Sequence, residues 1–149
     1  MIDLERYVYD FVDPTIDDFE KNPTCVRHAF LACVAAFHGV DYLAWPDEPS
    51  KLRAHLRRDE DFRIVDGVAH AFKHVATSRR PNKGLKASDV ISRPSGGFDS
   101  TAFDGSHFDA ETGRVTLTHS GGINLLETVR AARDFMMREG RAMDAQKRA

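Results

Sequence analysis

Only two cysteines and one tryptophan occur in this chain of 149 residues, and the cysteines cannot cross-link each other. Cys25 and Cys33 share one apolar run with helical spacing, which puts them about 12 Å apart along a helix axis. A disulfide needs Cα atoms within about 7 Å, so a core rather than a staple must hold the fold, and both thiols are expected to be reduced. Also missing is any charge-free run of about 18 apolar residues, which argues against a membrane-spanning helix. The first residues, with Asp3 and Glu5, lack the basic-then-apolar order of a secretion signal, so a cytoplasmic location is expected. No Walker-type loop, dinucleotide fingerprint or zinc-finger spacing occurs, and no cofactor is expected. Charge of one sign is scarce too: 21 basic and 23 acidic side chains leave a formal −2. That balance excludes the overall basic footprint that nucleic-acid binding usually leaves, so any such contact must be local. The candidate region runs from Lys51 to Lys86, where basic residues concentrate, whereas residues 3 to 20 are acidic.

What is present is an ordinary globular composition, 42% hydrophobic and 30% charged, in a length that suits one domain over residues 1–149. Leu4, Tyr7, Val8 and Phe11 recur at helical spacing, and Pro14 suits the first turn of a short second helix through Phe19. Asn22-Pro23 pairs a good N-cap with a good first helical residue, predicting a long helix from Thr24 to about Trp45. That segment is apolar nearly all round, as a central buried helix should be. A short helix follows from Ser50, and another from about Glu60 to Thr77 with Phe62, Val65, Ala69, Phe72 and Ala76 toward the core. From Leu85 to Thr118 the helical period gives way to glycines and prolines, and Val115–Thr118 reads as a strand that Ala87–Ile91 or Ala102–Phe108 could pair with. Ser120-Gly121-Gly122 then leads into a last helix from Ile123 to about Glu139, closed by Gly140, with a frayed tail over residues 141–149. The fold class expected is mainly α: an antiparallel bundle of three or four main helices with a small β-hairpin, within an excursion over 85–118, inserted before the last helix.

Chemistry is most concentrated in RIVDGVAHAFKHV. At about 100° per residue, Arg63, Asp66, His70, Lys73, His74 and Thr77 fall on one stripe, roughly opposite Val65, Ala69, Phe72 and Ala76. A cation, a carboxylate and two imidazoles in a row on a rigid helix can do acid and base work, because imidazole titrates near neutral pH. The same stripe is equally what any amphipathic helix turns to water, with Asp66 and His70 an ordinary i, i+4 pair. Which way it faces decides between the two.

Asp66, His70 and His74 also have the i, i+4, i+8 spacing of metal ligands, and His28 is a candidate to complete the set, with His38 and Asp41 as further donors. Lys73 opposes that reading, since a cation in the ligand shell costs Coulomb energy. Arg27 and His28 either meet Asp66 or His70 across the bundle or reach solvent at its rim. Cys25, near a helix start and beside Arg27 and His28, is the one candidate for a reactive thiol, and Ser120-Gly121-Gly122 is a short candidate for holding an anion on backbone amides.

Arg63, six residues and His70 on a helix of a small bundle resemble the HEPN family, whose members carry an Arg, four to six residues, then a His. The resemblance implies metal-independent RNA cleavage at a site composed in a homodimer, and it carries over to Arg63 and His70 alone. With Arg63 stabilising phosphate charge and His70 as general acid or base, Lys73 and His74 on the same stripe are expected to assist. Ile64 departs from the polar residue common after the family's Arg, and the 85–118 excursion is not part of its core. The order NPTCVRHAF then VAHAFKHV is also similar to small bacterial proteins in which a helix ends in Lys-His before a hairpin, a resemblance that implies no activity. Two other expectations stand beside an RNA enzyme: a non-catalytic interaction or structural module, and a metal or small-ligand site between the two central helices.

Overall fold

The computed structural model describes residues 3–75, 84–93, 113–118 and 121–149. Asp3 caps the first helix by accepting the Arg6 backbone N–H at 2.9 Å, and α1 (Leu4–Tyr7) passes through a π-helical turn (Val8–Val12) into α2 (Asp13–Lys21). In that turn the Asp13 N–H donates to the Val8 carbonyl five residues back, and Pro14, which has no N–H to donate, stands in the first turn of α2.

The long helix, α3, runs Val26–Ala44 and so starts later than Asn22-Pro23 suggests. Asn22 closes α2 rather than opening α3: its N–H donates to the Phe19 carbonyl and its side-chain amide to the Asp18 carbonyl, both at 3.1 Å. Cys25 takes the extended N-cap position with no side-chain cap bond. After α4 (Ser50–Leu56), Asp59 accepts the Phe62 N–H at 2.9 Å and starts α5 (Glu60–His74). Ala76 and Thr77 lie outside the described residues.

Six consecutive residues of α5, Ile64 to Ala69, are buried, because the helix packs against α3 on one side and the last helix on the other. That run of buried residues lies in the middle of α5, while α3 is buried along much of its length but exposes Leu31 and His38. Phe19, Leu56, Phe62, Leu117, Leu125 and Met136 are the large side chains fully sealed in this core.

A short 3-10 turn (Ala87–Asp89) leads into β1 (Val90–Arg93), which pairs antiparallel with β2 (Arg114–Leu117) in the register Val90 to Leu117. The segment Ala102–Phe108 lies outside the described residues. Gly121 and Gly122, at φ +84° and +89°, turn the chain through a conformation that only glycine adopts cheaply, and β3 (Ile123–Asn124) adds a third strand where the start of the last helix is expected. The insertion is thus a three-stranded antiparallel sheet ahead of the final helix, one strand more than a hairpin.

Asn124 caps α6 (Leu125–Arg148), which continues through Gly140 rather than ending there as expected. Gly140 serves close packing instead: a Cβ on it would lie 2.7 Å from Leu4 Cδ2 and 3.3 Å from Leu43 Cδ1. Among the described residues no helix is long and apolar enough to cross a membrane.

Two ionisable groups in this core keep their protons. Tyr7 donates its hydroxyl to the Ala35 carbonyl at 2.9 Å, and burial, then the charges of Tyr42 and Asp41, pushes it up to about 12. Burial alone pushes the Cys33 thiol up to about 12. The unfolded chain releases these protons around the ordinary values of 10.0 and 9.0, so above those values it binds fewer protons than the native state. Stability should therefore fall as pH rises from about 9 toward 12. Urea denaturation across that range checks this, with Tyr7→Phe expected to flatten the slope above pH 10.

Candidate functional site

Arg57, just past the end of α4, reaches into α5 and grips the carboxylate of Asp66 with both prongs: Nε to Oδ2 at 3.0 Å and Nη2 to Oδ1 at 2.9 Å. Asp66 is 2% exposed. A buried carboxylate needs such a partner, since an uncompensated charge in the interior costs several kcal/mol. The bidentate fork also sets direction, because guanidinium and carboxylate planes match in only a few orientations. It locks the C-terminal end of α4 against the middle of α5.

One turn further along α5, His70 Nδ1 lies 2.8 Å from the Asp66 carbonyl and 3.7 Å from Asp66 Oδ1. A carbonyl only accepts, so Nδ1 carries the proton and donates, which leaves Nε2 as the ring atom available for proton exchange. Phe37 of α3 presses on the imidazole nearly edge-on, with ring centroids 5.0 Å apart. Backbone carbonyl and aromatic ring together hold the orientation of a side chain that is still partly exposed.

His70 lines a cleft of about 470 Å³ between α3, α4 and α5. Among the described residues its polar walls are His38, Arg53, His70, Lys73 and His74, with no carboxylate in the lining. The Arg53 guanidinium stacks over Phe37, 4.7 Å from the ring centroid, and one of its prongs reaches Asp41 Oδ1 at 3.2 Å. Asp41 also faces His38 Nδ1 at 3.0 Å, so it braces these two groups from behind. Arg53 Nε is shielded from solvent and has no hydrogen-bond partner, a donor still to be satisfied. Three imidazoles, an ammonium and a guanidinium against aromatic walls make a site suited to an anion with a planar ring.

The polar stripe expected on this helix therefore divides. Asp66 faces the interior, while His70, Lys73 and His74 face the cleft; the His70 and His74 rings are 6.4 Å apart. Arg63, at the other end of α5, interacts with Glu60 at 3.4 Å and lies outside the cleft lining. Among the described residues no group of three or more His, Cys, Asp or Glu is arranged to hold a metal ion. Asp66 is committed to Arg57, and His28 stands next to Arg27, Nε2 to Nη2 at 3.4 Å, rather than in the cleft. Neither Arg27 nor His28 is the partner of Asp66; Arg57 is. Cys25 is partly exposed and Cys33 buried, and both are free thiols. Ser120 lies outside the described residues.

Arg57, Arg53 and Phe37 escaped sequence reading for one reason. They come from other elements, and helical periodicity within α5 says nothing about what α3 and α4 bring to it. Phe72, expected in the core, is instead 52% exposed at the cleft. It follows the buried stretch 64–69, where α5 emerges from between its neighbours. No family model, curated protein or solved structure matches the chain.

Arg57→Met should lower stability by about 3 kcal/mol, since it removes the bidentate partner of a buried carboxylate. The double variant Arg57→Met, Asp66→Leu should recover most of that loss, because the buried carboxylate is removed together with its partner. Chemical denaturation of the two variants, with Asp66→Leu alone completing the cycle, measures both effects.

Proposed function

We propose that this cleft engages the phosphodiester backbone of RNA and that His70 performs acid and base chemistry on it without a metal. The observation carrying the reading is the His70 imidazole, with its Nδ1 proton committed to the Asp66 carbonyl, in a cleft whose described charged walls are basic. Arg53 and Lys73 suit the phosphate charge, and His74 stands near enough to serve as a second proton carrier. In the reaction, one imidazole takes the proton of a ribose 2′-hydroxyl as its oxygen bonds to the adjacent phosphorus. The bond from phosphorus to the 5′-oxygen breaks, and the other imidazole, as imidazolium, protonates the departing oxygen. A 2′,3′-cyclic phosphate and a 5′-hydroxyl result, with no redox partner and no metal needed.

The resemblance to the HEPN family supports the same reaction class through Arg63 and His70. Because Arg63 lies outside the cleft, it would reach RNA only within the homodimeric site that the resemblance implies, and Arg53 takes the phosphate role inside one chain. A second reading draws on the size of the cleft: about 470 Å³ falls within the range of small-ligand sites. On that reading the occupant is a nucleotide-sized anion, and affinity stops rising once an oligomer exceeds one or two nucleotides.

Incubation with mixed-sequence single-stranded RNA in a chelator at low salt tests the proposal. Cleavage with cyclic-phosphate ends is expected, falling at least roughly 100-fold in His70→Ala with its thermal unfolding unchanged. Lys73→Ala should weaken RNA binding and flatten its salt dependence. Absence of both binding and cleavage, or full activity in His70→Ala, rejects the reading.

A further inference from the structure

Building on the RNA reading of the cleft, we infer that Phe72 is a stacking platform for an unpaired nucleobase, which makes single-stranded RNA the substrate class. Phe72 stacks on Phe30 at a centroid distance of 4.7 Å and an interplanar angle of 30°. Phe30 is 6% exposed and anchored in the core, while Phe72 is 52% exposed. One face of Phe72 is thus supported by a fixed ring and the side chain still meets solvent, the arrangement a base platform needs. The other aromatic ring in the cleft, Phe37, is occupied: Arg53 lies over its face and the His70 ring meets it nearly at a right angle. Among the described aromatic rings of the cleft, Phe72 is the one left for a ligand.

Its setting selects the kind of base. Lys73 and His74 follow it on α5, and Arg53 and His70 line the same cleft, so a base on Phe72 keeps its own phosphate within the basic walls. A base inside a duplex presents only its edge, because its faces are covered by neighbouring base pairs, whereas a base in a single strand can turn its face to a side chain. A plain core role does not explain the position, since a core phenylalanine would not be left half in solvent.

Three RNA probes of equal length test this against wild type, Phe72→Ala and Phe72→Tyr: a single strand with a central 2-aminopurine, the same strand with that base removed, and a duplex. Wild type should bind the single strand about 10-fold more tightly than the base-less strand or the duplex, and 2-aminopurine emission should be quenched on binding. Phe72→Ala should reduce affinity for the intact strand to the base-less level and abolish quenching, while Phe72→Tyr, which keeps the ring, should retain both. Equal affinity of wild type for intact and base-less strands, or quenching that persists in Phe72→Ala, overturns the platform and leaves backbone binding standing. Failure of wild type to bind any of the three overturns the RNA reading and the platform with it.

Discussion

The ion pair between Arg57 and Asp66 is the constraint on which the cleft depends. It fixes the end of α4 against the middle of α5 at the most enclosed stretch of the molecule, and a carboxylate that is 2% exposed tolerates no other arrangement cheaply. Two consequences follow along the two helices it joins. On α4, Arg53 lies one turn before Arg57, and it is carried to the ring face of Phe37 on α3. On α5, His70 follows Asp66 by one turn, and its imidazole is held by the Asp66 carbonyl on one side and Phe37 on another. Phe37 is thus touched from both helices, which makes it the pivot about which the cationic groups are arranged.

The electrostatics of this site differ from those of the chain. A formal charge of −2 over the whole molecule conceals a cleft with an arginine, a lysine and three histidines, and no carboxylate, among its described lining residues. Acidic residues stand behind the wall rather than in it: Asp41 braces Arg53 and His38, and Asp66 neutralises Arg57 in the interior. Elsewhere acids and bases pair across the surface, as Arg133 with Asp13 and Arg130 with Glu20 do in joining α6 to α2. An anion entering the cleft therefore meets basic groups at short range, of which Arg53 and His38 already share Asp41, and there the local field outweighs a small net charge screened over a Debye length of about 8 Å.

The helices were legible in sequence because apolar residues recur with the helical period, although the residues that cap two of them in the structure, Asp3 and Asp59, are not singled out by that period. The strand at Val115 was legible for the same kind of reason, alternation between turn residues. Boundaries went astray where a residue served a neighbour instead of its own element. Asn22 bonds back to α2 rather than forward to α3, and Gly140 makes room for Leu4 and Leu43 rather than ending α6. At the site, the stripe of Asp66, His70, Lys73 and His74 was visible, but its division between interior and cleft was not. Periodicity places side chains around one axis and is silent about which arc another helix covers. Arg53, Arg57 and Phe72 were hidden by that same limit.

The central claim is that RNA occupies the face of α5 that carries His70, beside Arg53 and Phe37, and no other surface. Histidine side-chain resonances report it directly, because the seven imidazoles are spread over the chain. On titration with a short single-stranded RNA, the signals of His38, His70 and His74 should shift together and saturate together, while those of His28 and His55, which do not line the cleft, stay in place. Shifts confined to His28 or His55, or none at all at saturating RNA, would contradict the account.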